Sequence, residues 1–96
     1  MKYIVYQTTC KINNKIYIGV HSTEQDDFDG YIGNGVSIYR PATYLNPKTP
    51  FQYAVKKYRV KNFIRTTIKE FNNEKEAYKL EELLVNDDFL KREDVY

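Results

Sequence analysis

Two short runs of β-branched and aromatic residues, 2–9 (Lys-Tyr-Ile-Val-Tyr-Gln-Thr-Thr) and 15–20 (Lys-Ile-Tyr-Ile-Gly-Val), flank Asn13-Asn14, and this pattern constrains the fold more than any other. Such side chains pack well on a pleated sheet, and asparagine tolerates the left-handed backbone of two-residue turns. The segment therefore predicts an antiparallel hairpin. A tight turn places Tyr17 opposite Cys10 and His21 opposite Tyr6. Alternation then gathers Tyr6, Thr8, Cys10, Tyr17, Gly19 and His21 on a polar face. Tyr3, Val5, Ile16, Ile18 and Val20 form the face expected to meet the core. An aromatic hydroxyl on each arm, with Gly19 clearing space beside one, suits the beginning of a phosphodiester-cutting site.

Beyond the hairpin, residues 21–50 show no clean period and read as a long functional loop. Thr49-Pro50 followed by Phe51, Ala54, Val55 and Tyr58 predicts a capped helix ending near Arg59. Alternation of Ile64, Thr66 and Ile68 with Arg65, Thr67 and Lys69 predicts a third strand over 62–71. Asn72-Asn73 then cap a helix from Glu74 to about Val85. The expected fold is α+β, a small three-stranded antiparallel sheet flanked by helices, in the order β-β-loop-α-β-α. With 96 residues, one domain and one core are expected.

Charge is segregated along the chain although the net value is only +2. Residues 51–73 hold six basic side chains and one acidic, whereas 74–96 hold four basic and eight acidic. The basic segment can attract a polyanion in a salt-sensitive way, and a plain solvated surface explains it equally well. The lone Cys10 excludes an internal disulfide and is consistent with a reducing, cytosolic setting. No apolar run approaches the roughly 18 residues that span a bilayer.

Glu81 is the sharpest single residue. On a helical wheel it falls among Ala77, Tyr78, Leu84 and Val85, with Glu82 at the edge of that face and Leu83 on the far side. An inward carboxylate must be paired, neutral or bound to a cation, so a salt bridge and a metal ligand both remain open. One carboxylate with water and phosphate oxygens suffices for Mg²⁺. His21, the only histidine, can move protons near neutral pH and excludes sites built from two histidines. The tyrosines are poor bases, with an intrinsic pKa of about 10, unless a cation or hydroxide assists.

On these residues the chain resembles the GIY-YIG nuclease family, particularly the endonuclease modules of phage-type homing enzymes. Ile4-Val5-Tyr6 stands where the family has Gly-Ile-Tyr, Tyr17-Ile18-Gly19 matches the second triplet, and Asn13-Asn14-Lys15 is similar to the family's turn. The likeness runs on through residues 51–63 and the helix bearing Glu81. It implies that Tyr17 is the tyrosine near the attacking water, Tyr6 its partner and Glu81 the single ligand of Mg²⁺ or Mn²⁺. It implies double-stranded DNA as substrate, with Lys56, Lys57 and Arg65 along its backbone, and activity inside the phage-infected cell.

The chain departs from the family pattern in three places. The first triplet lacks its glycine. The arginine that usually follows the second triplet has only Arg40 as its match, with His21 and Tyr31 for the histidine or tyrosine near it. The asparagine expected after the last helix is absent before Tyr96, with Asn86 as an alternative, so a chain cut short of a further DNA-binding domain is expected. A module that binds nucleic acid with impaired cleavage is the second reading.

Overall fold

The predicted hairpin forms, but around a wider turn. In the computed structural model, which describes residues 1–24 and 28–96, strands β1 (Lys2–Cys10) and β2 (Ile16–Thr23) pair antiparallel with Tyr6 opposite Gly19 and Thr8 opposite Tyr17. The expected partners, Cys10 for Tyr17 and Tyr6 for His21, are each displaced by two positions. Of the two turn asparagines, Asn14 alone takes the left-handed backbone (φ 60°), and its N–H bonds to Cys10 O at 2.8 Å, while Asn13 Oδ1 accepts from Lys15 N. A shift of two positions preserves parity, so Tyr6, Thr8, Tyr17 and Gly19 still share a face.

That face was expected to be polar and open, yet it carries most of the core. Tyr6, Thr8 and Cys10 are almost wholly buried, and Cys10 packs with Ile32, Val36, Phe51, Ala54, Val55 and Phe63. Tyrosine and threonine can be buried this way because each keeps a partner for its hydroxyl: Thr8 Oγ1, for instance, donates to Ile32 O. Val5, on the opposite parity, is equally buried, so the sheet is covered on both faces. Strand β5 (Phe63–Phe71) pairs with β1, giving the order β2-β1-β5, and a bulge leaves Ile68 unpaired.

The described part of the long loop expected over 21–50 holds a second hairpin and a helical turn. A second hairpin, β3 (Tyr31–Gly33) and β4 (Val36–Ser37), turns at Asn34-Gly35, whose φ angles of 50° and 78° are those a two-residue hairpin turn demands. A single helical turn, α1 (Ala42–Leu45), follows. Asp26 and Asp27, in the acidic run of this segment, lie outside the described residues.

Helix α2 (Pro50–Tyr58) starts as its sequence predicts, with Pro50 at the first position and Thr49 Oγ1 accepting from Gln52 N. Asn34 Nδ2 donates to the same oxygen at 2.7 Å, and Gln52 Nε2 returns a bond to Asn34 O. Thr49 thus ties the second hairpin to the helix. Thr49→Ala should cost about 1–2 kcal/mol, the cap together with Asn34's lost partner, read as a lower urea midpoint at unchanged m-value.

Helix α3 (Glu74–Leu84), capped by Asn73, lies against all three strands with Ala77 fully buried. A short α4 (Asp87–Leu90) follows, and Val95 pairs with Ile16 beside β2. No described helix is long and apolar enough to cross a membrane.

Candidate active site

Three phenols converge over the middle strand. Tyr6 of β1 has its ring centre 6.3 Å from that of Tyr17 of β2 and 6.0 Å from that of Tyr31 of β3, the latter edge-on. Tyr17 in turn stacks on Phe51 at 4.9 Å, so a buried residue of α2 sets its angle. Two glycines make this packing possible. A Cβ on Gly19 would stand 2.6 Å from the Tyr6 hydroxyl, and one on Gly33 would stand 2.8 Å from the Tyr17 ring. Gly19, the glycine of the second triplet, is thus the floor beneath the Tyr6 oxygen.

Burial raises the pKa of Tyr6 far above the usual phenol range, with the Tyr31 and Tyr17 phenols adding to it. Tyr17 is raised too, first by burial, then by Tyr31 and by the Glu81 carboxylate. Both stay protonated through neutral pH. They can donate hydrogen bonds and orient a water, which is different chemistry from a free phenolate base.

An ion network that the sequence reading missed lies beside them. His21 Nε2 meets Asp29 Oδ2 at 2.6 Å, and Arg65 Nη1 donates to Asp29 Oδ1 at 3.0 Å and to Tyr31 O at 2.9 Å. The His21 ring stacks on Tyr31, centres 4.0 Å apart and nearly parallel. Arg65 was expected along the DNA backbone; instead its side chain is 6% exposed and committed to Asp29, with its guanidinium over the rings of Phe28 and Tyr6. The alternation of β5 carried the signal, since Arg65 stands opposite Thr8 and so shares the face of Tyr6. Asp29 had no comparable signal, being one of three acids within four positions.

Glu81 is half-buried. Among the described residues it has neither an ion pair nor a side-chain hydrogen bond, so the salt-bridge alternative is not realised. Burial raises its carboxyl above the ordinary value, and its charge is close enough to act on Tyr17. The helical wheel placed Leu83 correctly on the far side, whereas Glu82, placed at the edge of the apolar face, is exposed, and Tyr78, expected inward, is 50% exposed. Among the described residues no three His, Cys, Asp or Glu side chains gather as a preformed metal cage.

Among the described residues, the remaining predicted ones make no hydrogen bond, ion pair or ring contact with this cluster. Arg40 is exposed after β4 and its guanidinium pairs with no group among the described residues. Lys56 and Lys57 are exposed near the end of α2, where Lys57 lies over the Tyr58 ring. Asn86 caps α4 through Phe89 N, which occupies its side-chain oxygen.

No family model matches the chain, and no solved structure does. Several phage T4 proteins do. It is 43% identical over all 96 of its residues to "Putative endonuclease segD", 42% to "Putative endonuclease segE" and 41% to "Putative endonuclease segB". These matches cover 37%, 40% and 37% of the relatives' lengths, so the chain spans less than half of each. Over its whole length, then, this chain is homologous to phage proteins that carry an endonuclease name, and the three phenols, His21 and Glu81 all lie within the shared region.

Proposed function

We propose that the chain is the catalytic module of a divalent-metal-dependent DNA endonuclease of the GIY-YIG type. The observation that carries the reading is an unpaired, half-buried carboxylate, Glu81, acting on a phenol of a three-tyrosine cluster. A single carboxylate without a preformed cage fits Mg²⁺ or Mn²⁺, which take their remaining ligands from water and phosphate. Bound there, the ion would polarise the scissile phosphate and offset charge on the leaving 3′ oxygen.

The chain's own groups do the rest. Tyr17, protonated and fixed by Phe51, donates toward the attacking water or a phosphate oxygen and holds it in line. Tyr6, buried behind it, limits where that water can sit. His21, at the rim, takes the water's proton. Arg40, Lys56 and Lys57, all exposed, steer the DNA backbone, a contribution that fades as salt rises. The relatives extend well beyond the region they share with this chain, and target recognition fits those further segments better than residues 1–96.

Plasmid nicking by residues 1–96 tests this. Cleavage should appear with Mg²⁺, stop with EDTA and return when the metal is restored. The exposed guanidinium of Arg40, which among the described residues makes no contact with the phenols, favours the second reading, a module that binds without cutting. Salt-sensitive DNA binding with no nicking in any metal would select it.

A further inference from the structure

Asp29 joins the two edges of the sheet across its middle strand. His21 comes from β2 and Arg65 from β5, with β1 and its Tyr6 between them, and one carboxylate holds both. Tyr31 is gripped at three points. Its N–H donates to Asp29 Oδ1 at 3.1 Å, its carbonyl accepts from Arg65, and its ring lies under His21.

We propose that Asp29 is a positioning residue of the candidate active site: oriented by Arg65, its carboxylate fixes the proton of neutral His21 on Nε2 and keeps the His21–Tyr31 stack against Tyr6. The use of His21 in catalysis rests on the nuclease reading, whereas its orientation rests on the contacts alone.

Only 14% of the Asp29 side chain is exposed, and an ionised carboxylate so enclosed must be compensated by charged or polar donors. It has three. Burial by itself pushes its pKa up, but the His21 bond, the Tyr31 N–H and the Arg65 charge together outweigh this and hold it below the ordinary carboxylate value. Ionised, Asp29 can only accept, so the ring nitrogen facing it must carry the proton. Nδ1 is left as the nitrogen that gains and loses one.

Asp29→Asn separates this role from plain packing. Its oxygen stays with the two donors that Oδ1 serves, Arg65 and Tyr31 N–H, which turns the amide NH₂ toward His21 Nε2. An N–H donor can be accepted only by an unprotonated nitrogen, so the tautomer inverts to Nδ1–H.

His21 is the only histidine, so its ring ¹⁵N signals in the labelled chain are unambiguous. The unsubstituted protein at high pH should show Nε2–H, with a slowly exchanging ring proton, and Asp29→Asn should show Nδ1–H. Cleavage by Asp29→Asn should fall about 100-fold in kcat, with Kd for DNA within about twofold. Identical tautomers in the two proteins, or inversion at unchanged kcat, would overturn the proposal. If Asp29→Asn does not fold, the slow Nε2–H proton of the unsubstituted protein decides, and its absence counts against the proposal. An unsubstituted chain that never cuts removes the nuclease reading and the catalytic part of this role, while tautomer inversion would still establish the orientation.

Discussion

Glu81→Gln should lower Mg²⁺-dependent cleavage by about 10³-fold while raising the melting temperature at neutral pH. The activity loss follows from the proposed metal ligand: several kcal/mol of transition-state charge stabilisation depend on the ion, and each 1.36 kcal/mol is about tenfold in rate. The stability gain follows from the carboxylate's surroundings. Burial raises its folded pKa above the unfolded value, and among the described residues no cation offsets this. The folded state therefore holds the Glu81 proton more tightly than the unfolded chain does. Ionisation penalises folding as pH climbs from the unfolded pKa to the folded one, and the full penalty persists above both. Glutamine never ionises, so its advantage should be present at pH 7 and vanish below the ordinary carboxylate range.

Calorimetry at two pH values checks the sign. A Mg²⁺ titration supplies a readout that needs no cleavage, because an ion bound only by the folded state stabilises it by about 2.7 kcal/mol at a hundred times its Kd. That stabilisation should be seen in the unsubstituted chain and be absent from Glu81→Gln. Retained cleavage in a destabilised Glu81→Gln would contradict both the metal role and the electrostatic account. A variant that merely misfolds loses stability together with activity. Here the two should move in opposite directions.

The elements set by local chemistry were legible in the sequence, and those set by long-range contacts were not. Thr49-Pro50 and Asn73 announced their helices because a cap is a contact within four residues. The strand over 62–71 likewise formed, although the bulge at Ile68 turns Lys69 to the face opposite Arg65 and Thr67. Asn34-Gly35 was a readable hairpin turn, but strands of three and two residues are too short to show a period. Face parity was legible and face burial was not. Whether Tyr6 and Thr8 lie under solvent or under Ile32 depends on a hairpin 24 residues further on. The inward direction of Glu81 came from helical spacing, whereas Asp29 became visible only when His21 and Arg65 met on it from opposite edges of the sheet.

Gly33→Ala should be among the most destabilising single-atom additions to the fold, about 3 kcal/mol, or roughly 15 °C in melting temperature for a domain this small. Two effects act at once. The backbone φ of 132° disfavours any side chain, and the new Cβ would stand 2.8–2.9 Å from the Tyr17 ring and 3.1 Å from the Tyr6 hydroxyl. Two other glycines separate these effects. Gly35 has φ 78° with nothing within 4 Å, so Gly35→Ala measures strain alone and should cost about 1 kcal/mol. Gly19 shows no such φ but would press on the Tyr6 hydroxyl at 2.6 Å, so Gly19→Ala measures contact alone. In an open strand that substitution would reduce unfolded-state entropy and stabilise slightly, so a net loss points to the hydroxyl. Pairing it with Tyr6→Phe removes the offending oxygen, and the double variant should be more stable than the sum of the single effects predicts. Tyr17→Phe should give Gly33→Ala no such relief, because there the clash is with ring carbons that phenylalanine keeps. Additivity in the Gly19–Tyr6 cycle would mean that the Tyr6 oxygen does not rest on Gly19, and the phenol cluster would lose the support that places its oxygens.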